Sequence, residues 1–395
     1  MRRPRRTDVA PSGPRSLPDA GLGQGWEPAV LMLLTLLLLS FGLVTLYSAS
    51  SVLAQRLALP DYYFVVRQAA GAAVGLVTLV VCARIPYHWW EWAAWPLVGL
   101  TIVLLVLLVL PWTEAIAPTT NGARRWLDLG VSIQPSEIAK LTVIVWTAML
   151  AVRKRDQFRS LTRGLLPFLA VWSILVLLIA LEPDFSTACL VAALGVLVVY
   201  TAGGRIGHFV FLGLLTAPLI LSQMRVGFRV RRILAFLDPS SDPSGAGFQV
   251  TQSLIAIGSG GLTGVGFGEG RQKFGFLPEP HNDFIFAMIG EEWGFIGMVL
   301  IVGLYLGIIL VGFRIARSAP DLFGQLLAVG LTSYVALQAM LHMAVGLGLV
   351  PTTGLALPLV SYGRSSLLVT LAAIGMLMAV AREAKDVRTP RRARA

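Results

Sequence analysis

Ten stretches of this chain are each apolar over roughly 20 residues, the length that carries a helix across the hydrocarbon core of a bilayer. They lie near residues 29–50, 63–83, 93–111, 135–152, 165–182, 184–201, 207–224, 284–313, 323–346 and 365–381. Inside hydrocarbon every backbone N–H and C=O has to find its partner within the protein. Repeated spans of this length therefore predict an all-α polytopic membrane protein with about ten transmembrane helices. The composition agrees, since 56% of the 395 residues are hydrophobic and 13% charged, more apolar surface than a soluble fold can hide. The first span opens AVLMLLTLLLLSFGLVTL at Ala29, too long for a signal-peptide core, and reads as a retained helix.

The formal charge of +11 is unevenly placed. With an inside N-terminus, the inside segments carry Arg2, Arg3, Arg5, Arg6 and Arg15, then Arg84, the cluster Arg153, Lys154, Arg155, Arg159 and Arg163, then Arg205, Arg314, Arg317 and the tail from Arg382. Cytoplasmic loops concentrate Lys and Arg, so both termini are expected in the cytoplasm. Residues 1–28 and 382–395 read as disordered basic tails flanking a membrane domain over 29–381. Facing an anionic leaflet they are expected to anchor electrostatically, and nucleic acid is not an expected partner. Cys82 and Cys189 lie in apolar runs and imply no disulfide framework. The four histidines are scattered without metal-ligand spacing, and no Walker A pattern occurs. GSGGLTGVGFGEG (258–270) lacks glycines at the offsets of a dinucleotide fingerprint and reads as flexible loop.

Two long outer loops, about 112–134 and 225–283, are functional candidates by length alone. The second, between spans seven and eight, opens MRVGFRVRRILAF and places Arg225, Arg229, Arg231 and Arg232 where positive charge is normally sparse. At helical spacing Arg225, Arg229 and Arg232 share a face, suited to the phosphates of a lipid substrate or to bulk head groups. QVTQSLIAIGSGG (249–261) reads as a short amphipathic helix. Pro351, Gly354, Pro358 and Gly363 break LGLVPTTGLALPLVSYGRSS (347–366) between spans nine and ten. Irregular backbone at membrane depth is tolerated only when buried in protein or facing a wet cavity, so a re-entrant loop on the outer side is expected.

The chemistry concentrates in FLPEPHNDFIFAMIGEEWGF (276–295). Asp283, after His281 and Asn282, stands where the loop meets the eighth span, as either a helix N-cap or a catalytic carboxylate. Glu291 and Glu292 lie two turns deeper and read as a buried structural pair with an Arg or Lys. In QPSEIAKL, Glu137 and Lys140 are three apart on one face near membrane depth. Arg67, Arg124 and Arg125 add positive charge on the outer side. Several cations around one carboxylate suit an anionic substrate.

NGARRWLDLG, QPSEIAKL, EPDFST, RRILAFLDPSSDPSGAGFQVTQSLIAIGSGGLTGVGFG, LPEPHNDFIFAMIGEEWGFIG and PTTGLALPLVSYGRSS together resemble the SEDS family (shape, elongation, division and sporulation) of peptidoglycan glycosyltransferases. The resemblance covers about residues 29–381. It implies a ten-helix fold with an outer cavity, with a large outer loop between helices 7 and 8 and a re-entrant loop between helices 9 and 10. The implied activity is polymerisation of lipid II into glycan strands at the outer face of the bacterial cytoplasmic (inner) membrane. The implied partners are a class B penicillin-binding protein and other divisome or elongasome membrane proteins. It marks Asp283 as the essential acid and Arg67, Arg125, Glu137 and Lys140 as substrate-binding residues, to which Arg229, Arg232, His281, Ser361 and Arg364 are added as candidates. HNDF replaces the usual HTDF, and SYGRSS the usual SYGGSS, placing Arg364 at a family glycine. The FRVRRILAFLDP segment and the basic N-terminal tail resemble the division branch, while PTTGLALPLVSYG is similar to the elongation branch too.

The reaction so implied inverts the anomeric centre. Asp283 would act as base, Arg67, Arg125, Lys140 and the 225–232 arginines would face the diphosphate, and a divalent cation, Mg or Mn, would bridge Asp283 and the diphosphate. No protein-only metal cage and no organic cofactor are expected. A lipid II flippase, needing a polar path to both faces, and a scaffold, needing no Asp283 chemistry, are the rival readings.

Overall fold

The computed structural model of the chain describes residues 25–119, 123–128, 130, 132–158, 160–210, 213–214, 227–238, 242 and 245–388. Its helices are α1 (Glu27–Arg56), α2 (Tyr63–Arg84), α3 (Trp89–Val109), α4 (Pro135–Arg153), α5 (Leu166–Leu181), α6 (Phe185–Thr201), α7 (Gly227–Leu237), α8 (Ala246–Gly260), α9 (Ile285–Ser318), α10 (Leu322–Gly346) and α11 (Arg364–Arg388). A two-residue antiparallel pair, β1 (Leu127–Asp128) with β2 (Ser132–Ile133), closes the loop before α4. Among the described residues eight helices are long and apolar enough to cross a membrane, and Phe185–Thr201 is a shorter apolar helix. These nine match nine of the expected spans. The seventh, expected over 207–224, falls mostly outside the described residues, as do Arg225 and both tails over 1–24 and 389–395.

The last span ends later than expected. Residues 382–388, assigned to a disordered tail, continue α11 as helix. Polar contacts hold this extension: Arg382 Nη2 donates to Arg84 O at 3.0 Å, and Glu383 accepts from Tyr87 N at 3.1 Å and lies 3.5 Å from His88 Nδ1. The two segments expected inside the second outer loop do form, as α7 and α8. At 15 residues α8 is about 22 Å long, too short to span.

The helices divide by burial. The most apolar stretches of α4, α10 and α11 are 83%, 78% and 83% buried, against 28–39% for α1, α2, α3, α5 and α9. The first three are the centre of the bundle and the others its lipid-facing wall. Hydrocarbon supplies no hydrophobic drive between helices, so packing and polar contacts hold them together. Thr142 of α4 meets Thr101 of α3 at 2.8 Å, Trp172 of α5 donates to Thr147 of α4 at 3.0 Å, and Tyr334 and Thr370 join α10 to α11 at 3.0 Å.

α9 is interrupted at Gly294, whose φ of 65° and ψ of −162° are open to glycine and not to a side chain. The break strands backbone groups that a continuous helix would satisfy internally. Residues 261–266 take them up: Val265 N donates to Glu291 O at 2.9 Å, Phe295 N to Gly261 O at 3.0 Å and Ile296 N to Leu262 O at 3.2 Å. Residues 261–266 are thereby stitched into the wall of the bundle.

Residues 347–363 form the expected non-helical segment between α10 and α11, with Leu355, Leu357, Leu359 and Val360 buried. Its carbonyls are met by side chains, as burial requires. Gln338 Nε2 donates to Ala356 O at 2.9 Å, His342 Nδ1 to Leu355 O at 2.8 Å, and the Tyr305 hydroxyl to Pro358 O. On its far side α1 offers Gly42, where a Cβ would sit 2.7 Å from Val360 Cα. Only glycine lets the helix approach so closely.

Candidate active site

Asp283 sits one residue before the N-cap of α9. The N-cap position belongs to Phe284 and receives no side-chain cap, so Asp283 is not the capping residue that its position allowed. Its Oδ1 is shut off from solvent and has no hydrogen-bond partner among the described residues. Burial, and then the Glu279 carboxylate, push its pKa up to about 7, while Arg232 and Arg125 pull the other way and Asp184 adds a further upward push. A carboxylate oxygen left without a partner costs stability, and here two arginines within electrostatic reach offset part of that cost.

The turn that presents Asp283 is held by the re-entrant segment. Ser361 Oγ donates to Asn282 O at 2.7 Å and accepts from Leu357 N at 2.9 Å, while Tyr362 N donates to His281 O at 3.0 Å. That segment is fixed in turn to α2, where Gln68 Nε2 donates to Ser361 O at 3.0 Å and Gln68 Oε1 accepts from Gly363 N at 3.2 Å. Glu279, just upstream, adopts φ 49°, a left-handed conformation that non-glycine residues rarely hold.

The expected binding residues fall into three groups. Arg125 and Arg232 lie within electrostatic reach of Asp283. Arg125 reaches across to α5–α6, donating to Glu182 O at 3.2 Å and Pro183 O at 2.5 Å, and Arg232 of α7 donates to Thr352 O at 3.3 Å. Arg229 lies on α7 and is described only through its backbone. Arg67 and Arg364 form a second basic pair, both acting on Tyr362. Arg67 is exposed, donates to the Tyr63 hydroxyl and lies 5.2 Å from that ring; Arg364 opens α11 and runs past Gly71 of α2.

The third group is buried. Glu137 and Lys140 form an ion pair at 2.6 Å, and Lys140 Nζ also donates to Gln338 Oε1 at 2.8 Å, the glutamine that holds the re-entrant segment. Lys140 has no exposed side-chain surface, so it positions the site's wall from within the bundle. His281 is also buried, packed against the rings of Phe64 and Tyr362, and burial holds its pKa below the usual imidazole value against the opposing Glu279. Ser361 spends its hydroxyl on the Asp283 turn. Arg124 turns away altogether and pairs with Glu114.

Two acids escaped the sequence reading. Glu182, between α5 and α6, is buried with both carboxylate oxygens lacking partners among the described residues. Burial and Asp184 raise its pKa to about 9, against the nearby Arg125. Asp184 caps α6 through Thr187 N at 3.3 Å. Both stand in EPDFST, which marked the family and was given no role. Glu291 and Glu292, expected as a structural pair with a cation, are that: Glu292 meets Lys273 at 3.1 Å and Ser48 at 2.5 Å, and Glu291 accepts from Arg271 N at 2.7 Å.

A half-buried carboxylate with one unpartnered oxygen, two arginines within its electrostatic reach and two more beside Tyr362 of the adjoining segment, at one end of a helical membrane bundle, define a protein built to act on anionic substrates at the bilayer edge. The sequence profile of the FtsW/RodA/SpoVE family, described as cell cycle proteins, matches residues 29–386, and the chain belongs to that family. Among its relatives, a probable peptidoglycan glycosyltransferase FtsW from Trichlorobacter lovleyi is 42% identical over 88% of this chain and 91% of its own length. The stage V sporulation protein E of Bacillus subtilis is 41% identical over 89% and 96%. A chain solved in a peptidoglycan synthase complex that coordinates polymerization and crosslinking superposes with a TM-score of 0.74 at 32% identity, covering 90% of this chain and 97% of that one. The rod shape determining protein RodA of Thermus thermophilus gives 0.64 at 28% identity, covering 92% and 98%.

Proposed function

We propose that this chain is an inverting peptidoglycan glycosyltransferase that polymerises lipid II into glycan strands during septal wall synthesis. The higher identity to proteins named FtsW than to RodA supports the division role. The observation that carries the chemistry is the orphaned Oδ1 of Asp283. A sugar 4-hydroxyl is a poor nucleophile at neutral pH, and a carboxylate with a pKa near 7 is matched to taking its proton as the new bond forms. The hydroxyl oxygen bonds to the anomeric carbon, the bond to the diphosphate breaks, and the proton passes to Asp283. One displacement inverts the centre without a covalent intermediate.

The departing diphosphate gains negative charge, and Arg125 and Arg232, the cations within electrostatic reach of Asp283, would stabilise it. The acceptor carries a diphosphate of its own, and Arg67 with Arg364 suits that second anion. Glu137, Lys140, His281 and Ser361 then keep these groups in register. A divalent ion, Mg or Mn, would be held on the protein side by Asp283. When bound it would neutralise diphosphate charge.

The proposed setting is the outer face of the bacterial inner membrane with both termini cytoplasmic, beside a class B penicillin-binding protein that cross-links the product. The test is polymerisation of purified lipid II by the full chain with that partner and Mg or Mn, comparing wild type with Asp283→Asn. Strands from wild type and none from a folded variant support the assignment. Equal strand formation would remove Asp283 from the chemistry, and no strands from either would favour transport or scaffolding.

A further inference from the structure

A second concentration of positive charge lies at the other end of α9, roughly 45 Å of helix from Asp283. Arg314 and Arg317 there line a recess of about 660 Å3 together with Glu27, Leu310, Phe313 and Gln325. Arg314 Nε donates to Glu27 Oε1 at 3.1 Å, and its guanidinium lies 5.3 Å from the ring of Trp26. Arg317 is exposed and has no ion-pair partner among the described residues. Two guanidinium groups thus face one carboxylate, and the excess is positive.

The walls say what kind of anion fits. Leu310 is 62% exposed and Phe313 37%, so the recess offers an exposed apolar wall beside its two arginines. A free phosphate would use the arginines and leave the apolar wall unmatched. A phospholipid uses both, and basic pockets between transmembrane helices are suited to anionic head groups. We propose that this recess binds an anionic phospholipid, its phosphate between Arg314 and Arg317 and its chains along Leu310 and Phe313. In the proposed orientation it is a lipid of the cytoplasmic leaflet; the binding itself does not depend on the glycosyltransferase activity.

Native mass spectrometry of the purified full chain tests this with phosphatidylglycerol, phosphatidylcholine and inorganic phosphate at matched concentrations. Wild type is expected to retain phosphatidylglycerol in preference to the other two. Each basic residue near an anionic surface contributes about 1 kcal/mol, so Arg317→Gln is expected to weaken retention about fivefold. Arg317→Lys should keep most of it. Arg317 is exposed and unpaired, so the Gln variant leaves the fold intact, which a thermal melt verifies. Arg205→Gln, an exposed arginine outside the recess, should leave retention unchanged. Equal retention of phosphatidylcholine, an unaltered Arg317→Gln, or an equal loss in Arg205→Gln would each overturn the site. Retention of inorganic phosphate as strong as that of the lipid would overturn the lipid assignment.

Discussion

Asp283 titrates where it can be tested from two directions. Its pKa is raised to about 7 chiefly by burial, so the basic form grows about tenfold from pH 6 to pH 8, and the rate of lipid II polymerisation at low substrate should rise with it. Stability runs the opposite way. The folded state holds this proton more tightly than the unfolded chain, whose carboxyl lies near about 3.9. The stabilising contribution is present at low pH and is lost as pH rises from about 4 through 7. Asp283→Asn removes the half-buried charge, so at pH 8 it should melt no lower than wild type while losing polymerisation. A variant that melts lower would make the carboxylate a structural group. Ser361 offers the complementary case, because its hydroxyl holds Asn282 O and Leu357 N and touches neither arginine pair. Ser361→Ala should cost about 1 kcal/mol in stability. It should lower kcat with KM little changed, and a KM rise alone would return Ser361 to direct binding. Sequence could single out Asp283, since an acid at the start of an apolar span is conspicuous. Glu182 was hidden for the opposite reason: nothing local shows that a short turn between α5 and α6 folds beside a residue a hundred positions away.

At the scale of elements, the break in α9 and the loop lodged in it form one unit. Gly294 has φ 65°, and a Cβ there would strike Gly264 N and Leu262 O. Adding a side chain at positive φ costs about 1 kcal/mol before any clash. Gly294→Ala should therefore expel residues 261–266 from α9 and loosen the outer loop that ends at Asp283. Hydrogen exchange should rise at Val265, Phe295 and Ile296, whose amides make the stitching bonds, while the amides of α10 stay protected. Unchanged exchange at those three would mean that the loop is held elsewhere, with the Glu292–Lys273–Ser48 cluster the next place to look. Spans were legible because hydrocarbon imposes a length and forbids unpaired backbone. The stitching was not, because GSGGLTGVGFGEG carries no apolar period, and its partner was a break that a single glycine inside a long apolar run does not announce.

The whole molecule is a packed centre that carries a reactive rim, and the Glu137–Lys140 pair is where the two scales meet. It lies in α4, reaches Gln338 in α10, and through that glutamine holds Ala356 O of the re-entrant segment that fixes the Asp283 turn. The i, i+3 spacing was readable, whereas burial on every side was not, because α4 is only modestly apolar in composition and yet central. Removing one member of a buried pair leaves the other charge uncompensated, typically at a cost of about 3–5 kcal/mol, while removing both is far milder. Lys140→Met should therefore lower the melting temperature sharply and abolish polymerisation. Lys140→Met combined with Glu137→Gln should recover most of the stability. What the double variant does to activity then separates two roles. If the pair acts only by holding the re-entrant segment, activity returns with the fold, since Gln338 can still hold Ala356 O. If Lys140 meets substrate phosphate, the double variant is stable and inactive, and the site extends into the core of the bundle.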